Sequence, residues 1–177
     1  IPLEEGENTI TYQVDQGDTA ADVKVDRISL SRIYEAEDAQ LTGNMHTSTE
    51  HAGFSGTGFA GGFEAAGEEA IFTVDAPVAG EYSLVLGYGN GAEDYARSIS
   101  VFVNGSDAAQ LSVAPLRTWA AWGEAQATIA LHEGQNTISV KNDNDFGHIN
   151  LDYITLKPCN WQYAGSVEGV EGEGTSQ

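Results

Sequence analysis

Short apolar segments that alternate with polar residues recur along the middle of the chain. Ala70-Ile71-Phe72-Thr73-Val74 is one, and Glu81 to Leu86 is a second, with Tyr82, Leu84 and Leu86 on one face. Ile99, Val101 and Val103 line a third, which ends at the turn dipeptide Asn104-Gly105. Ala125, Ala127, Ile129 and Leu131 line a fourth, and Ile138 and Val140 sit in a fifth. Successive side chains of a strand point to opposite faces, so this alternation predicts strands with one buried face. Ala79-Gly80, Gly89-Asn90-Gly91 and Glu133-Gly134 supply turns between them. No stretch carries a long helical period. Many short strands at this spacing predict an all-β fold, a sandwich or a barrel.

The pattern also repeats. Leu3-Glu4-Glu5-Gly6-Glu7-Asn8-Thr9-Ile10-Thr11 matches Leu131-His132-Glu133-Gly134-Gln135-Asn136-Thr137-Ile138-Ser139. After a loop in each copy, Val25-Asp26-Arg27-Ile28-Ser29-Leu30 matches Leu151-Asp152-Tyr153-Ile154-Thr155-Leu156. Residues 1–31 therefore read as the C-terminal strands of a preceding module, and residues 33–157 as a complete one. The alternative is that residues 1–31 form an integral hairpin of one larger domain. Residues 158–177, rich in glycine and glutamate from Gly165 onward, read as a linker or disordered tail. Ile1 begins in mid-pattern, so the expectation is a piece of a longer polypeptide.

Charge narrows the partners. The 177 residues carry 27 acids against 7 bases, a formal net charge of -20. Such a surface repels phosphate, which argues against nucleic acid and anionic membrane. No apolar run is long enough to span a bilayer. With Cys159 the single cysteine, no internal disulfide can form. The scattered His46, His51, His132 and His148 show no zinc spacing, and neither a nucleophile elbow nor a phosphate loop is present.

Within this acidic chain, Tyr34-Glu35-Ala36-Glu37-Asp38-Ala39 stands out. In a strand, Glu35 and Glu37 would share a face and repel. A solvated edge strand would tolerate that. A catalytic pair is a second reading, since two residues of strand span roughly 6.6–6.8 Å. Glycosidase carboxylates, however, normally flank the substrate from opposite sides. Calcium is the third, because it gathers hard oxygens from distant segments. Asp152 supports calcium. It shares strand parity with Ile154 and Leu156, so a carboxylate is expected on a buried face, where a cation or an arginine would offset its desolvation.

The order of motifs is similar to that of the family 35 carbohydrate-binding modules, with family 6 close behind. Those motifs are the opening YEAEDA, the glycine-rich Gly53-Phe54-Ser55-Gly56-Thr57-Gly58-Phe59, Trp119 with Trp122, Leu131 to Ile138, and Asn150-Leu151-Asp152-Tyr153-Ile154. The resemblance covers residues 33–157. It implies a β-jelly-roll sandwich of two antiparallel sheets, no catalysis, and a structural calcium held by Glu35, Glu37 and Asp152. Asp26 would be the corresponding acid of the truncated copy.

Sugars present apolar C–H faces and many hydroxyls, which aromatic rings and planar polar groups match. Trp119 follows the loop-like Pro115-Leu116-Arg117-Thr118 and could display its ring, or pack at a core edge. Trp122 reads as packing at a strand start. Tyr95, in the acidic loop Gly91-Ala92-Glu93-Asp94-Tyr95, is a candidate platform or a loop anchor. Modules resembling this one bind ligand at a loop-built end of the sandwich, where the Asn142–His148 loop commonly contributes an amide; Asn144 is the choice here. Arg97 could answer a uronic-acid carboxylate or pair with Asp94, and Glu64 is a further acid near sugar or metal. Trp161 could tack down the tail.

The functional expectation is a noncatalytic, calcium-stabilised module, extracellular or on the cell surface. It would tether a multimodular glycan-active polypeptide to an oligo- or polysaccharide of uronic acid or neutral hexose, beside other modules of the same chain. The alternative is a structural sandwich repeat of an adhesin or filament with no sugar site. An enzyme using the carboxylate pair comes last.

Overall fold

The computed structural model describes residues 31–142 and 147–159. The predicted alternating segments are strands, longer than the pattern alone marked. The described chain runs β1 (Arg32–Glu35), a single 3-10 turn (Ala36–Asp38), β2 (Gln40–Leu41), β3 (His46–Ser48), β4 (Phe59–Phe63) and β5 (Glu69–Ala76). It continues through β6 (Gly80–Gly89), β7 (Arg97–Val103), β8 (Ser106–Val113), β9 (Gly123–Leu131), β10 (Gly134–Lys141) and β11 (Ile149–Pro158). One sheet has the order β3-β4-β11-β6-β9, with β1 also on β11; the other is β2-β5-β10-β7-β8. All registered pairs are antiparallel. The result is the expected all-β sandwich of two antiparallel sheets.

The alternation explains the core. Phe72 and Val74 from β5, Tyr82, Leu84 and Leu86 from β6, Ile99 and Val101 from β7, Ile129 and Leu131 from β9, and Ile138 and Val140 from β10 are all buried between the sheets. Each such side chain, fully buried, stabilises the fold by about 1.5–3 kcal/mol. Tight connections at one end include Asn104-Gly105, both at positive φ (50° and 80°), and His132-Glu133 leading into Gly134 (φ 85°). The repeated motif has a purpose here. Asn136, almost fully buried, donates to the carbonyls of His132 (2.8 Å) and Gly134 (2.9 Å) and accepts from His132 N–H (3.1 Å), closing the β9–β10 hairpin internally.

The β4–β5, β6–β7 and β8–β9 loops lie at the opposite end, where β10 also ends and β11 begins. One further feature positions chemistry. Strands β1 and β4 lie end to end along the same edge of β11, with β1 pairing Arg32 to Glu35 against Leu156 to Tyr153, and β4 pairing against Leu151 and Ile149. Between them, β11 bulges: Leu151 faces Tyr88 and Tyr153 faces Gly87, leaving Asp152 as the extra residue. Among the described residues no helix is long and apolar enough to cross a membrane.

Candidate functional site

Two constellations emerge, one at the β1–β4 junction and one at the loop end. At the junction, Glu35 ends β1 and Glu37 lies in the 3-10 turn that follows. The two glutamates therefore do not alternate along one strand, which corrects the shared-face argument. A loop brings them together instead. Ser55 Oγ donates to Glu35 Oε1 at 2.8 Å; Thr57 N–H (2.6 Å), Thr57 Oγ1 (3.1 Å) and Gly58 N–H (3.1 Å) all donate to Glu37 Oε1. Ser55 N–H spans both carboxylate oxygens of Asp152, at 3.0 and 3.2 Å. Gly56 makes this possible: its φ is +61°, and a Cβ there would strike Glu37 Oε1 and lie 2.9 Å from Glu35 Cδ.

Asp152 is buried as expected, with 3% of its surface exposed, but for a different reason. Ile149 and Leu151 on one side of it, and Ile154 and Leu156 on the other, are all core residues, so strand parity breaks at Asp152. The bulge turns its carboxylate toward the 53–58 loop. Burial, followed by repulsion from Glu35 and Glu37, pushes its pKa up from 3.8 to about 6 against the opposing Ser55 N–H bond. Burial also raises Glu35, against the Ser55 hydroxyl and with help from Glu37 and Asp38. Glu35 Oε2 and Glu37 Oε2 are buried with no hydrogen-bond partner. The carboxylates answer to one loop and are not gathered into a ready-made metal cage among the described residues.

At the loop end, Asn90 is the hub. It is fully buried and uses both ends of its amide: Nδ2 donates to the carbonyls of Val113 and Ala114, and Oδ1 accepts from Ala92 N–H (3.1 Å) and Arg97 Nε (2.9 Å). Leu116 N–H to Asn90 O and Arg117 N–H to Ala92 O then zip the β6–β7 and β8–β9 loops together. This seats the Trp119 indole against Gly91, where any side chain would collide with the ring. The Arg97 guanidinium lies 5.3 Å from the Tyr95 ring centre and 5.7 Å from that of Trp119, and its Nη2 donates to Tyr95 Oη at 3.3 Å. Arg97 thus pairs with Asn90 and Tyr95 rather than with Asp94. Tyr95 is 49% exposed and Trp119 is half-buried.

The structure thus brings together Tyr95, Arg97 and Trp119; Asn144 lies outside the described residues, as do Trp161 and Asp26. Sequence reasoning missed His148, whose ring packs 4.8 Å from Trp119 with Nε2 3.6 Å from Glu64 Oε1. Burial and the Arg97 charge lower its pKa despite Glu64 and Glu68. It also missed Glu68, a buried carboxylate accepting N–H bonds from Asn44 (2.7 Å), Glu64 (2.8 Å) and Ala65 (2.8 Å). Burial opposes its charge, but these bonds outweigh that and lower its pKa. Neither carried a motif. Trp122 packs edge-on against Phe59 at 5.2 Å, as a packing residue should.

Comparison with known proteins agrees with this fold. The model of the carbohydrate binding module (family 35) matches residues 32–159. The 1,6-alpha-glucosyltransferase of Sporosarcina globispora is 36% identical over 165 residues, which is 88% of this chain and 13% of that protein. The native structure of a family 35 carbohydrate binding module from Clostridium thermocellum superposes with a TM-score of 0.69 at 28% identity, covering 73% of this chain and 99% of that one. An uncharacterized protein from Listeria monocytogenes, solved in complex with α-D-glucose, β-D-glucose, magnesium and calcium, superposes with a TM-score of 0.65 at 31% identity. That match covers 71% of this chain and 12% of the other. The chain thus spans a small part of the larger proteins it matches. With most of its length inside the family match, it belongs to the family 35 carbohydrate-binding modules, a noncatalytic class of domain found within glycan-active enzymes.

Proposed function

We propose that this module holds calcium with Glu35, Glu37 and Asp152 and binds a polysaccharide at the loop end through Tyr95, Arg97 and Trp119. It thereby tethers a secreted or surface-attached glycan-active polypeptide to its substrate. Tethering raises local concentration without any new catalytic contact. The observation that carries the sugar reading is the aromatic shelf made by the exposed Tyr95 and the half-buried Trp119, bracketing Arg97. Such a shelf stacks on C–H faces while the guanidinium and neighbouring side chains meet hydroxyls.

The calcium reading is supported by the donor set. Two buried carboxylate oxygens without partners, next to a third carboxylate with a raised pKa, fit a hard cation that collects oxygen ligands. Bound there, calcium would supply the positive charge that offsets the mutual repulsion of the acids. The same loop donors speak against a catalytic pair, since Glu35 and Glu37 are half-buried and tied to the 55–58 loop. The repeat between residues 3–11 and 131–139 supports a second, similar module immediately upstream.

A neutral gluco-oligosaccharide is the favoured ligand. Arg97 already donates to Asn90 and Tyr95, and the relatives named above carry a 1,6-α-glucosyl activity and bound glucose. Calorimetry of the full chain with isomaltooligosaccharides and with glucuronic-acid-containing oligosaccharides, in calcium and in chelator, tests this. Binding of the neutral sugars is expected. Preference for the acidic sugars overturns the ligand assignment. No binding to either, with a chelator-sensitive melting temperature, establishes the structural-repeat alternative.

A further inference from the structure

Strand β4 sends its side chains two ways. Ala60 and Phe63 join the core between the sheets, whereas Phe59, 1% exposed, does not. Phe59 is instead the centre of a separate aromatic cluster under the 51–58 loop. His51 stacks on it at 5.9 Å and 17°, Phe54 tilts against it at 5.9 Å, and Trp122 meets it edge-on at 5.2 Å. His51 and Phe54 belong to the loop itself, and Phe59 follows it. Trp122 is the member from elsewhere, at the entrance to β9, and it also bonds the loop backbone: its Nε1–H donates to Ala52 O at 3.0 Å. A Cβ on Gly53 would lie 3.2 Å from its Cδ1, so the loop rests directly on the indole.

This cluster brackets the donors of the acidic site. Residues 51–54 and 59 are pinned by rings, and the groups between them, on Ser55, Thr57 and Gly58, orient Asp152, Glu35 and Glu37. We propose that Trp122 is a positioning residue for the cation, holding the loop in the conformation that leaves Glu35 Oε2 and Glu37 Oε2 free for metal. The proposal rests on the calcium reading given above. Trp122 touches neither cation nor carboxylate glutamates; it acts through the loop. Without the latch, a cation must first order the loop, and its apparent affinity falls by the fraction of molecules in the competent state. Outer groups that orient ligands commonly change metal affinity by about 10–100-fold when removed.

The test is calorimetric titration of the chelator-stripped full chain with calcium chloride. Trp122→Phe keeps a ring against Phe59 and removes the Nε1–H bond. It is expected to raise the Kd for calcium by about tenfold, and to speed amide exchange at Ser55, Thr57 and Gly58 while leaving β6 and β10 protected. Ile129→Val, a core change on β9, should lower the melting temperature yet leave the calcium Kd within about twofold, separating positioning from general loss of stability. A Trp122→Phe Kd within about twofold of wild type overturns the latch while the cation reading stands. Wild type that binds no calcium overturns both. Phe54→Leu, a half-buried loop residue of the same ring cluster, gives the same reading should Trp122→Phe fail to fold, and an unchanged Kd there overturns the latch as well.

Discussion

Replacing Asp152 by asparagine should stabilise the protein in chelator and destabilise it in calcium. The carboxylate is 3% exposed, and burial together with Glu35 and Glu37 moves its pKa from 3.8 to about 6. A pKa raised on folding means that the folded state holds the proton more tightly than the unfolded chain does. Between about pH 4 and pH 6 the folded state therefore binds more protons, and stability falls as pH rises through that window. A shift of roughly two units corresponds to about 3 kcal/mol lost once the pH is above 6. Asparagine carries no charge and escapes this loss. Its amide oxygen still accepts from Ser55 N–H, though a neutral acceptor forgoes about 1 kcal/mol of the charge-assisted bond.

The net gain in chelator at pH 7.5 is therefore about 1–2 kcal/mol, or roughly 2–8 °C in melting temperature for a domain near this size. Calcium held as proposed should reverse the order. At a concentration one hundred times its Kd it stabilises the wild type by about 2.7 kcal/mol, and a variant lacking one carboxylate gains far less. Differential scanning calorimetry of the full chain, with calcium chloride or with chelator, reads both signs. Lowering the chelator experiment to pH 5 should remove most of the variant's advantage, because the wild-type loss falls from about 3 to about 1.6 kcal/mol as the folded carboxyl takes up its proton. A variant less stable than wild type in chelator at pH 7.5 would refute the burial-and-repulsion argument. So would an advantage that grows as pH falls.

Three further outcomes follow from the same geometry. Gly56→Ala forces a Cβ onto a residue at φ +61° and into Glu37 and Glu35, so it should cost about 1–2 kcal/mol and blunt the calcium-induced rise in melting temperature; an unchanged calcium response would show the loop to be free of the site. Trp119→Ala should abolish sugar binding in calorimetry while lowering urea-measured stability by less than about 2 kcal/mol, since the ring is half-buried; a larger loss would make Trp119 a packing residue. Asn136→Ala leaves the His132 N–H and the carbonyls of His132 and Gly134 without their partner, and should cost about 2–3 kcal/mol in urea unfolding; a loss below about 1 kcal/mol would refute its role as hairpin plug.

The long strands were legible because each presents one face to a common core, and burial imposes the alternation. The short ones were not: β1 to β4 contain two to five residues each, too few for a period to show. The acids were legible as residues but not as geometry. Glu35 and Glu37 looked like a strand pair because nothing in their sequence marks the 3-10 turn at Ala36. Asp152 looked core-facing because a bulge has no side-chain signature in the sequence. Asn90 was legible only as turn chemistry and the 53–59 stretch only as a glycine-rich motif, since most of what they contribute is a backbone N–H or a single amide aimed by the fold.

The position of the acids explains their presence. Edge pairing along β11 is interrupted where β1 stops and β4 begins, and β1 contributes a ladder of only four residues. A strand that short, at the edge of its sheet, is weakly held by backbone bonds. The carboxylates stand at this seam: one on β1, one on the turn after it, and one on the bulge of β11 itself. A cation shared among them would join the first strand, the last strand and the intervening loop at the point where the ladder fails to do so. Their repulsion, unfavourable in the bare chain, makes that joint conditional on the cation. Melting of β1 should therefore precede that of the core in chelator and coincide with it in calcium, which amide exchange at Ile33 and Tyr34, compared with that at Leu84 and Val101, can resolve.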